Sequence, residues 1–188
     1  MLDSRHRVPV RGAINLEFVV IRSIHSGDAA AIARIYNHYV VNTTVSFEEQ
    51  PVSVEEMCDR ITEVTSADLP WLVIEQDGQL AGYAYASKWK GRCAYRFSVE
   101  VSVYLDPAVA QRGLGSRLYQ ALFAALRERG VHVAMGGIAQ PNPASVALHE
   151  KFGMQKVAHF KEVGFKFNQW LDVGYWQIVL PDQTGPAH

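Results

Sequence analysis

The segment that most restricts the fold of this chain is YRFSVEVSVYL, residues 95–105, in which apolar and polar side chains alternate without a break. Alternation of this length predicts a β-strand whose two faces meet different surroundings. One face would lie in the core, with Tyr95, Phe97, Val99, Val101, Val103 and Leu105. The other face would carry a guanidinium, two hydroxyls, a carboxylate and a phenol, from Arg96, Ser98, Ser102, Glu100 and Tyr104.

The segments around this strand predict a mixed α/β sheet. Ser53 and Glu56 have the spacing of a capping box that opens a helix. The dipeptide Asp77-Gly78 lies between two apolar runs, as in a β-hairpin, and Asn142 precedes a further helix as its N-cap. The predicted order is strand, two helices, three strands, helix, strand, helix and two strands, which is neither a regular βαβ repeat nor an all-β pattern.

Length and composition favour a single folded domain. The chain has 188 residues, of which 48% are hydrophobic, enough for one sizeable core. We expect that domain to span residues 19–181. Residues 1–18 are predicted to be an N-terminal extension, expected to be flexible, and residues 182–188 a polar tail.

Charge and hydropathy exclude several classes of function. The formal net charge is −1, so the chain lacks the basic footprint of a nucleic-acid-binding protein. No apolar run approaches the roughly 20 residues of a membrane-spanning helix. The two cysteines, Cys58 and Cys93, have no metal-binding spacing and favour a reduced, cytoplasmic setting. The histidines show no ligand spacing either, so we expect no metal site.

A glycine loop, QRGLGS at residues 111–116, joins the alternating strand to a leucine-rich helix. It is not a Walker loop, because the Lys-Ser/Thr pair is missing, and it lacks the third glycine of a Rossmann fingerprint, where Leu118 stands. Free backbone amides at a helix N-terminus can nevertheless bind an anion. A plain turn is the alternative that the loop alone leaves open.

The loop and the elements beside it resemble motif A of the GCN5-related N-acetyltransferases (GNAT), although Ala110 replaces that family's usual Gln or Arg. The helix PASVALHEKFG that follows Asn142 is similar to motif B of the same family. Further segments narrow the resemblance to the phosphinothricin and methionine sulfoximine acetyltransferase subfamily. These segments are NHYVVNTTVSFEEQP, PWLVIEQDGQLAGYAYASKWKGRCAYRFSVEVSVYLDP, LHEKFGM and GFKFNQWLDVGYWQ.

The resemblance implies a GNAT fold, of the α+β type, with a central, mixed, mostly antiparallel and twisted sheet flanked by helices. It implies direct acetyl transfer from acetyl-CoA, without a metal, to the amino group of a small amino-acid-like acceptor. L-phosphinothricin, L-methionine sulfoximine and methionine sulfone are the expected acceptors. Another small amine, a protein N-terminus, or an acyl-CoA-binding sensor without turnover are the alternatives.

Two side chains are predicted to be catalytic. The resemblance implies that Glu100 is the general base, acting directly or through water, and that His149 is a second base or a group that tunes Glu100. Taken alone, Glu100 could be a solvent-facing strand residue and His149 a surface residue of its helix. A base is useful because a free amine is mostly protonated near neutral pH.

Acetyl-CoA is expected to contact three features. The backbone of Val103, Tyr104 and Leu105 would pair with the pantetheine, as an added strand would. Asn142 would reach the pantetheine or the thioester, a role compatible with an N-cap. The pyrophosphate would be bound by the glycine loop, which consists of Gln111, Arg112, Gly113, Leu114, Gly115 and Ser116.

The acceptor is expected to contact the basic loop KWKGRCAYR, residues 88–96, through Lys90, Arg92 and Tyr95. A guanidinium is a natural partner for a carboxylate or phosphinate, although composition alone would equally suit a solvated loop. Three more residues match substrate positions of the subfamily but could belong to the core: Phe47, Tyr119 and Val173. Tyr119 could instead help the leaving sulfur of the thioester. Subfamily members are typically homodimers, and the aromatic strands from residue 160 to residue 176 could form that interface, although the sequence alone would equally suit packing in the core.

Overall fold

The computed structural model describes residues 19–108 and 113–181. The predicted extension 1–18, the predicted tail 182–188, and the loop residues Gln111 and Arg112 therefore lie outside the described residues. In chain order the elements are β1 Val19–Ser23, α1 Ala29–Asn42, α2 Val54–Ser66, β2 Trp71–Gln76, β3 Gln79–Lys88, β4 Ser98–Leu105, α3 Leu114–Glu128, β5 Val133–Gln140, α4 Pro143–Lys151, β6 Gln155–Lys166 and β7 Gln169–Val179. The predicted order of helices and strands is confirmed.

One seven-stranded sheet joins all the strands of the described residues, in the order β1-β2-β3-β4-β5-β7-β6. Only the central pair, β4 and β5, is parallel, and every other neighbouring pair is antiparallel. The expected mixed, mostly antiparallel sheet is confirmed.

Local sequence signals explain where the elements begin and turn. The Ser53 side chain accepts from the Glu56 amide, and the Glu56 carboxylate accepts from the Ser53 amide, which completes the predicted capping box. Asp77 and Gly78 both have positive φ, as the tight turn of a β2–β3 hairpin requires. Asn142 caps α4 by accepting from the Ser145 amide.

The two faces of the sheet carry different cores. The odd-numbered residues of β4, from Val99 to Leu105, pack with α3, whose leucines belong to the larger core. Helices α1 and α2 cover the opposite face, where an aromatic cluster includes Tyr83 and Tyr104, with ring centroids 5.4 Å apart. Glu100 and Ser102 share this second face with Tyr104, because side chains alternate along a strand.

The predicted start of the alternating strand is wrong. Cys93–Tyr95 form one turn of 3-10 helix, and β4 begins only at Ser98. Tyr95 and Phe97, predicted to face the core, are 42% and 46% exposed. The physical reason is the lack of a ladder partner, since β3 ends at Lys88, opposite Val99.

The two parallel strands separate soon after they meet. β4 pairs with β5 only from Ser98 to Glu100, opposite Val133 to Met135. Beyond that point β4 continues beside β3, whereas β5 continues beside β7. The sheet therefore contains a wedge-shaped gap, which begins next to Glu100 and is bordered by the unpaired edges of β4 and β5.

Candidate active site

Glu100 lies at the apex of the gap between β4 and β5. Its carboxylate accepts hydrogen bonds from the Gly137 amide on β5 and from the Tyr175 hydroxyl on β7. Burial raises the pKa of Glu100 above its ordinary value, while those two donors and the charge of Lys90 lower it in part. A Cβ at Gly137 would come 2.9 Å from a Glu100 oxygen, so a glycine there leaves room for the carboxylate.

Tyr175 joins Glu100 to an open cleft and was not predicted from the sequence. The cleft has a volume of about 460 Å³ and an apolar lining in which Tyr175 supplies the polar group. Period-two alternation along β7 would place Tyr175 on the face of Val173, but only the pairing of β7 with β5 brings it to Glu100. The lining consists of Phe47, Phe160, Val163, Gly164, Phe165, Val173 and Tyr175.

Two of the predicted acceptor residues, Phe47 and Val173, meet in this cleft. Phe47 comes from the segment between α1 and α2, and Val173 comes from β7. A second cavity, of about 220 Å³, lies between α2 and strands β2 and β3 and contains none of the predicted site residues. Because Tyr175 contacts both Glu100 and the larger cleft, the larger cleft is the better candidate for the acceptor.

The basic loop approaches the cleft through Trp89, another residue that the sequence did not single out. The Trp89 ring makes an edge contact with Tyr175, with centroids 5.4 Å apart. Lys90 follows at once, and its charge acts on Glu100. Arg92 and Tyr95 are exposed in the same loop. The structure therefore brings Lys90 into the electrostatic range of Glu100, whereas Arg92 and Tyr95 face solvent.

His149 is buried in α4, on the other face of the sheet, and is only 3% exposed. Its Nδ1 lies 2.7 Å from the Ser145 carbonyl, which can only accept, so Nδ1 carries the hydrogen. Its Nε2 then accepts from the Tyr119 hydroxyl at 3.0 Å. Burial lowers the pKa of His149 and raises the pKa of Tyr119. The predicted second base is thus a neutral imidazole with both nitrogens engaged.

Two consecutive glycines separate the predicted catalytic residues. A side chain at Gly136 would collide with the imidazole of His149, whereas a side chain at Gly137 would approach Glu100 and Tyr175. Neighbouring residues of a strand point to opposite faces. Glu100 and His149 therefore lie on opposite sides of β5. Tyr119, predicted to contact the acceptor, is fully buried on the His149 side.

The N-terminus of α3 has the geometry of an anion site. Gly113 caps the helix with φ +100°, a left-handed conformation that favours glycine. The first amides of any helix have no partner within it. Lys151 of α4 reaches the same helix end, where its Nζ donates to Ser116 Oγ at 2.9 Å, and sequence reasoning had missed this cation. These groups fit an anionic ligand such as a phosphate.

The open edge of β4 can bind an extended ligand. Trp89 N donates to Ser98 O, and Asp106 N donates to Ala81 O, so the even-numbered residues of β4 direct their backbone groups towards β3. Tyr104 therefore forms its backbone pair with Tyr83 of β3. Of the three residues predicted to pair with the pantetheine, Val103 and Leu105 are the two whose backbone groups are directed away from β3. Tyr39 already donates to the Leu105 carbonyl at 2.7 Å.

Metal-binding clusters and membrane-spanning helices are both absent from the described parts of the chain. Within residues 19–108 and 113–181, no cluster of three or more His, Cys, Asp or Glu side chains is arranged to hold a metal ion. No described helix is both long enough and apolar enough to cross a membrane. The geometry instead combines an anion site, an open strand edge, a carboxylate and an apolar cleft, which suits proton removal from a molecule in the cleft.

Comparison with known proteins agrees with this geometry. The profile of the acetyltransferase (GNAT) domain matches residues 21–174. The phosphinothricin N-acetyltransferase of Streptomyces viridochromogenes is 38% identical over 90% of this chain and 93% of its own length. The L-methionine sulfoximine/L-methionine sulfone acetyltransferase of Salmonella typhimurium is 34% identical, over 89% of this chain and 98% of its own length. The crystal structure of a phosphinothricin acetyltransferase from Sinorhizobium meliloti in complex with acetyl-CoA has a TM-score of 0.84 at 34% identity, covering 86% of this chain and 88% of that one.

Proposed function

Since the chain belongs to the GNAT acetyltransferase family, we propose that it transfers the acetyl group of acetyl-CoA directly to the amino group of a small amino-acid-like acceptor. L-phosphinothricin, L-methionine sulfoximine and methionine sulfone are the proposed acceptors, because relatives that match most of the chain are named for these substrates. The observation that carries the proposal is the position of Glu100, between the open edge of β4 and the cleft that Tyr175 lines.

Acetyl-CoA would be held by groups that the fold already presents. The backbone groups of Val103 and the backbone amide of Leu105, whose carbonyl already accepts from Tyr39, suit the amides of the pantetheine, as an added strand would. The amides after Gly113, together with Lys151, suit the pyrophosphate. Asn142 is still proposed to contact the pantetheine or the thioester, although its side-chain oxygen caps α4. When bound, acetyl-CoA supplies the activated acetyl thioester.

Glu100 would remove the proton of the acceptor's ammonium group, directly or through water. A carboxylate with an ordinary pKa is a weak base for an amine, and burial raises the pKa of Glu100 towards the working pH. The Gly137 amide and the Tyr175 hydroxyl orient the carboxylate at the same time. His149 and Tyr119 would contribute indirectly, by fixing α4 against α3 on the other face of the sheet.

The acceptor would occupy the cleft of Phe47, Val173 and Tyr175, with Lys90 near its anionic group. A cation there suits a carboxylate or phosphinate, and Arg92 could close from the exposed loop onto the same group. The apolar lining suits the methylene groups of a short side chain. This combination favours a small anionic amino acid over a peptide.

We also propose that the protein is a homodimer in the cytoplasm. β6 is an edge strand of the sheet, and its hairpin with β7 exposes large apolar side chains. An exposed apolar surface of this kind marks an interaction site in many proteins. Both cysteines are free, as is usual for a protein of a reducing compartment. The exposed side chains are Phe160, Val163, Phe165, Phe167 and Trp170.

The proposal is tested by incubating the protein with acetyl-CoA and each acceptor in turn and measuring the N-acetylated product. N-acetylated product should be detected by mass spectrometry, because the exposed thiol of Cys93 would react with a disulfide reagent used to detect CoA. We expect turnover with L-phosphinothricin and L-methionine sulfoximine, and none with a peptide that offers only an N-terminal amine. Turnover of the peptide, with neither amino acid acetylated at millimolar concentration, would contradict the proposed acceptor class.

A further inference from the structure

Two segments far apart in the sequence meet at the rim of the proposed acceptor cleft. We call residues 43–53 the α1–α2 loop, and residues 155–179 the β6–β7 hairpin. Phe47 of the loop lies directly against Gly164 of the hairpin, where any added Cβ would collide with its ring. The glycine therefore provides the space that seats Phe47 against the hairpin.

Lys166 supplies the second contact between these segments. It is only 2% exposed, and its Nζ donates to the Ser46 carbonyl at 2.5 Å. A lysine is almost never fully buried without a partner for its ammonium group. Burial lowers the pKa of Lys166, and the charges of Glu48 and Glu49 raise it in part. The ammonium group thus contacts the residue immediately before Phe47.

The loop end that Lys166 contacts is itself held by polar groups. Ser46 Oγ is hydrogen-bonded to the Tyr36 hydroxyl at 3.0 Å, and that hydroxyl also donates to Glu48 at 3.1 Å. Arg60 of α2 donates to the same carboxylate at 2.6 Å. The Ser46 carbonyl is therefore a defined attachment point, joined to α1 and α2 on one side and to the hairpin on the other.

This contact spans the weakest part of the sheet. Helices α1 and α2 pack against β2, β3 and β4, whereas the hairpin joins the sheet through β5. β4 and β5 share ladder pairing only from Ser98 to Glu100. Lys166 therefore connects the two halves of the molecule on the face where Glu100 lies, at the rim of the cleft.

We propose that Lys166 is a positioning residue of the acceptor site, whose ammonium group holds the Ser46 carbonyl so that Phe47 forms one wall of the cleft. The inference rests on the proposed function, because it takes that cleft as the place of the acceptor. Lys166 would act through Phe47 and would touch neither acetyl-CoA nor the reacting amine.

The test is Lys166→Met, which removes the donor but keeps an unbranched apolar side chain. We expect the KM of the acceptor to rise about tenfold, which corresponds to one lost charge-assisted contact. The kcat and the KM of acetyl-CoA should stay within about twofold, since neither depends on Phe47. Lys161→Met is the matched control, because Lys161 is an exposed lysine of the same strand.

A double-mutant cycle with Phe47→Ala separates positioning from a general loss of structure. If Lys166 acts through Phe47, Lys166→Met should have little further effect on the acceptor KM in the Phe47→Ala background. Additive effects, an unchanged acceptor KM, or an equal rise in the KM of acetyl-CoA would each overturn the proposal. Lys166→Gln, which retains a neutral donor, replaces the methionine variant if that variant fails to fold.

Wild-type turnover, measured first, decides the proposed function separately. If the wild-type enzyme acetylates a different small amine, the same ratios of variant to wild type are measured with that amine. If none of the named acceptors is acetylated, the result for Lys166 can therefore still be interpreted.

Discussion

Glu100 and His149 occupy comparable places on opposite faces of β5, yet they are suited to different tasks. Each lies against one of two consecutive glycines, Gly137 for the carboxylate and Gly136 for the imidazole. Glu100 is only partly buried, and Tyr175 connects it to the cleft. His149 is sealed in the core, between Tyr119 and its own helix.

Burial has opposite consequences for these two side chains as bases. It favours the neutral form of both, so it raises the pKa of Glu100 and lowers the pKa of His149. A raised pKa makes the carboxylate a better proton acceptor, whereas a lowered pKa makes the imidazole a poorer one. The comparison teaches that burial suits Glu100 better than His149 to the base that we propose, whereas His149 is held as a neutral hydrogen-bonding group.

The largest expected effect comes from Glu100→Gln, which keeps the shape of the side chain but removes the basic carboxylate. We expect kcat to fall about 10²- to 10⁴-fold, the usual contribution of a general base. Binding of acetyl-CoA, measured by calorimetry, should change little, because Glu100 lies at the apex of the gap and not at the anion site.

Glu128→Gln serves as the control, since Glu128 is an exposed residue at the end of α3. A parallel loss of acetyl-CoA binding and kcat in Glu100→Gln would mean that the carboxylate only supports the cofactor site. The two faces would then no longer differ in the way that we describe.

The paired glycines allow each face to be disturbed separately. Gly136→Ala should lower the free energy of unfolding by about 1–3 kcal/mol, because the new methyl group overpacks the fixed imidazole of His149. Gly137→Ala should affect stability less, because the new methyl group would meet the Glu100 carboxylate at 2.9 Å and the Tyr175 ring at 3.1 Å, a less severe overlap than the one at Gly136. It should instead lower kcat about 10- to 100-fold by displacing the carboxylate.

The measurements are denaturant unfolding and steady-state kinetics on both variants. The two alanines add the same atoms to adjacent residues, so each variant is the control for the other. Equal losses of stability with equal losses of kcat would show that the faces act as one unit, contrary to our description.

A smaller effect is expected from Tyr119→Phe, which removes the donor to His149 Nε2 and leaves that nitrogen unsatisfied in the core. The free energy of unfolding should fall by about 1–2 kcal/mol, the usual consequence of an unpaired buried acceptor. We expect kcat to stay within about tenfold of wild type. A fall of more than 100-fold without any loss of stability would place Tyr119 in the chemistry.

Local patterns predicted the elements well, because their signals lie within a few residues of one another. Alternation correctly assigned Val99 to the core and Glu100 to the other face, although the strand starts later than Tyr95. Tyr175 and Trp89 could not be predicted in this way. Their proximity to Glu100 depends on which strands pair across the sheet, and strand pairing is set by long-range packing.

The same limit applies to His149 and Tyr119. Motif resemblance predicted that both matter, but their hydrogen bond arises where α3 and α4 pack on one face. In the sequence, nothing distinguishes Gly136 and Gly137 from the other residues of the predicted strand. Only the side chains that approach them from either face show that each position requires a hydrogen in place of a side chain.

The smallest expected effect is a shift in the pH dependence of kcat/KM, and it tests whether Tyr175 acts on Glu100. A general base is active when deprotonated, so activity falls as the pH drops through the pKa of Glu100. The Tyr175 hydroxyl lowers that pKa by donating to the carboxylate. Tyr175→Phe should therefore raise the pKa of Glu100 and move the acidic limb of kcat/KM to higher pH, with less than about a tenfold change in the plateau rate. Tyr119→Phe, on the other face, should leave the limb in place, and a shift of the limb in that variant alone would reverse the roles that we assign to the two faces.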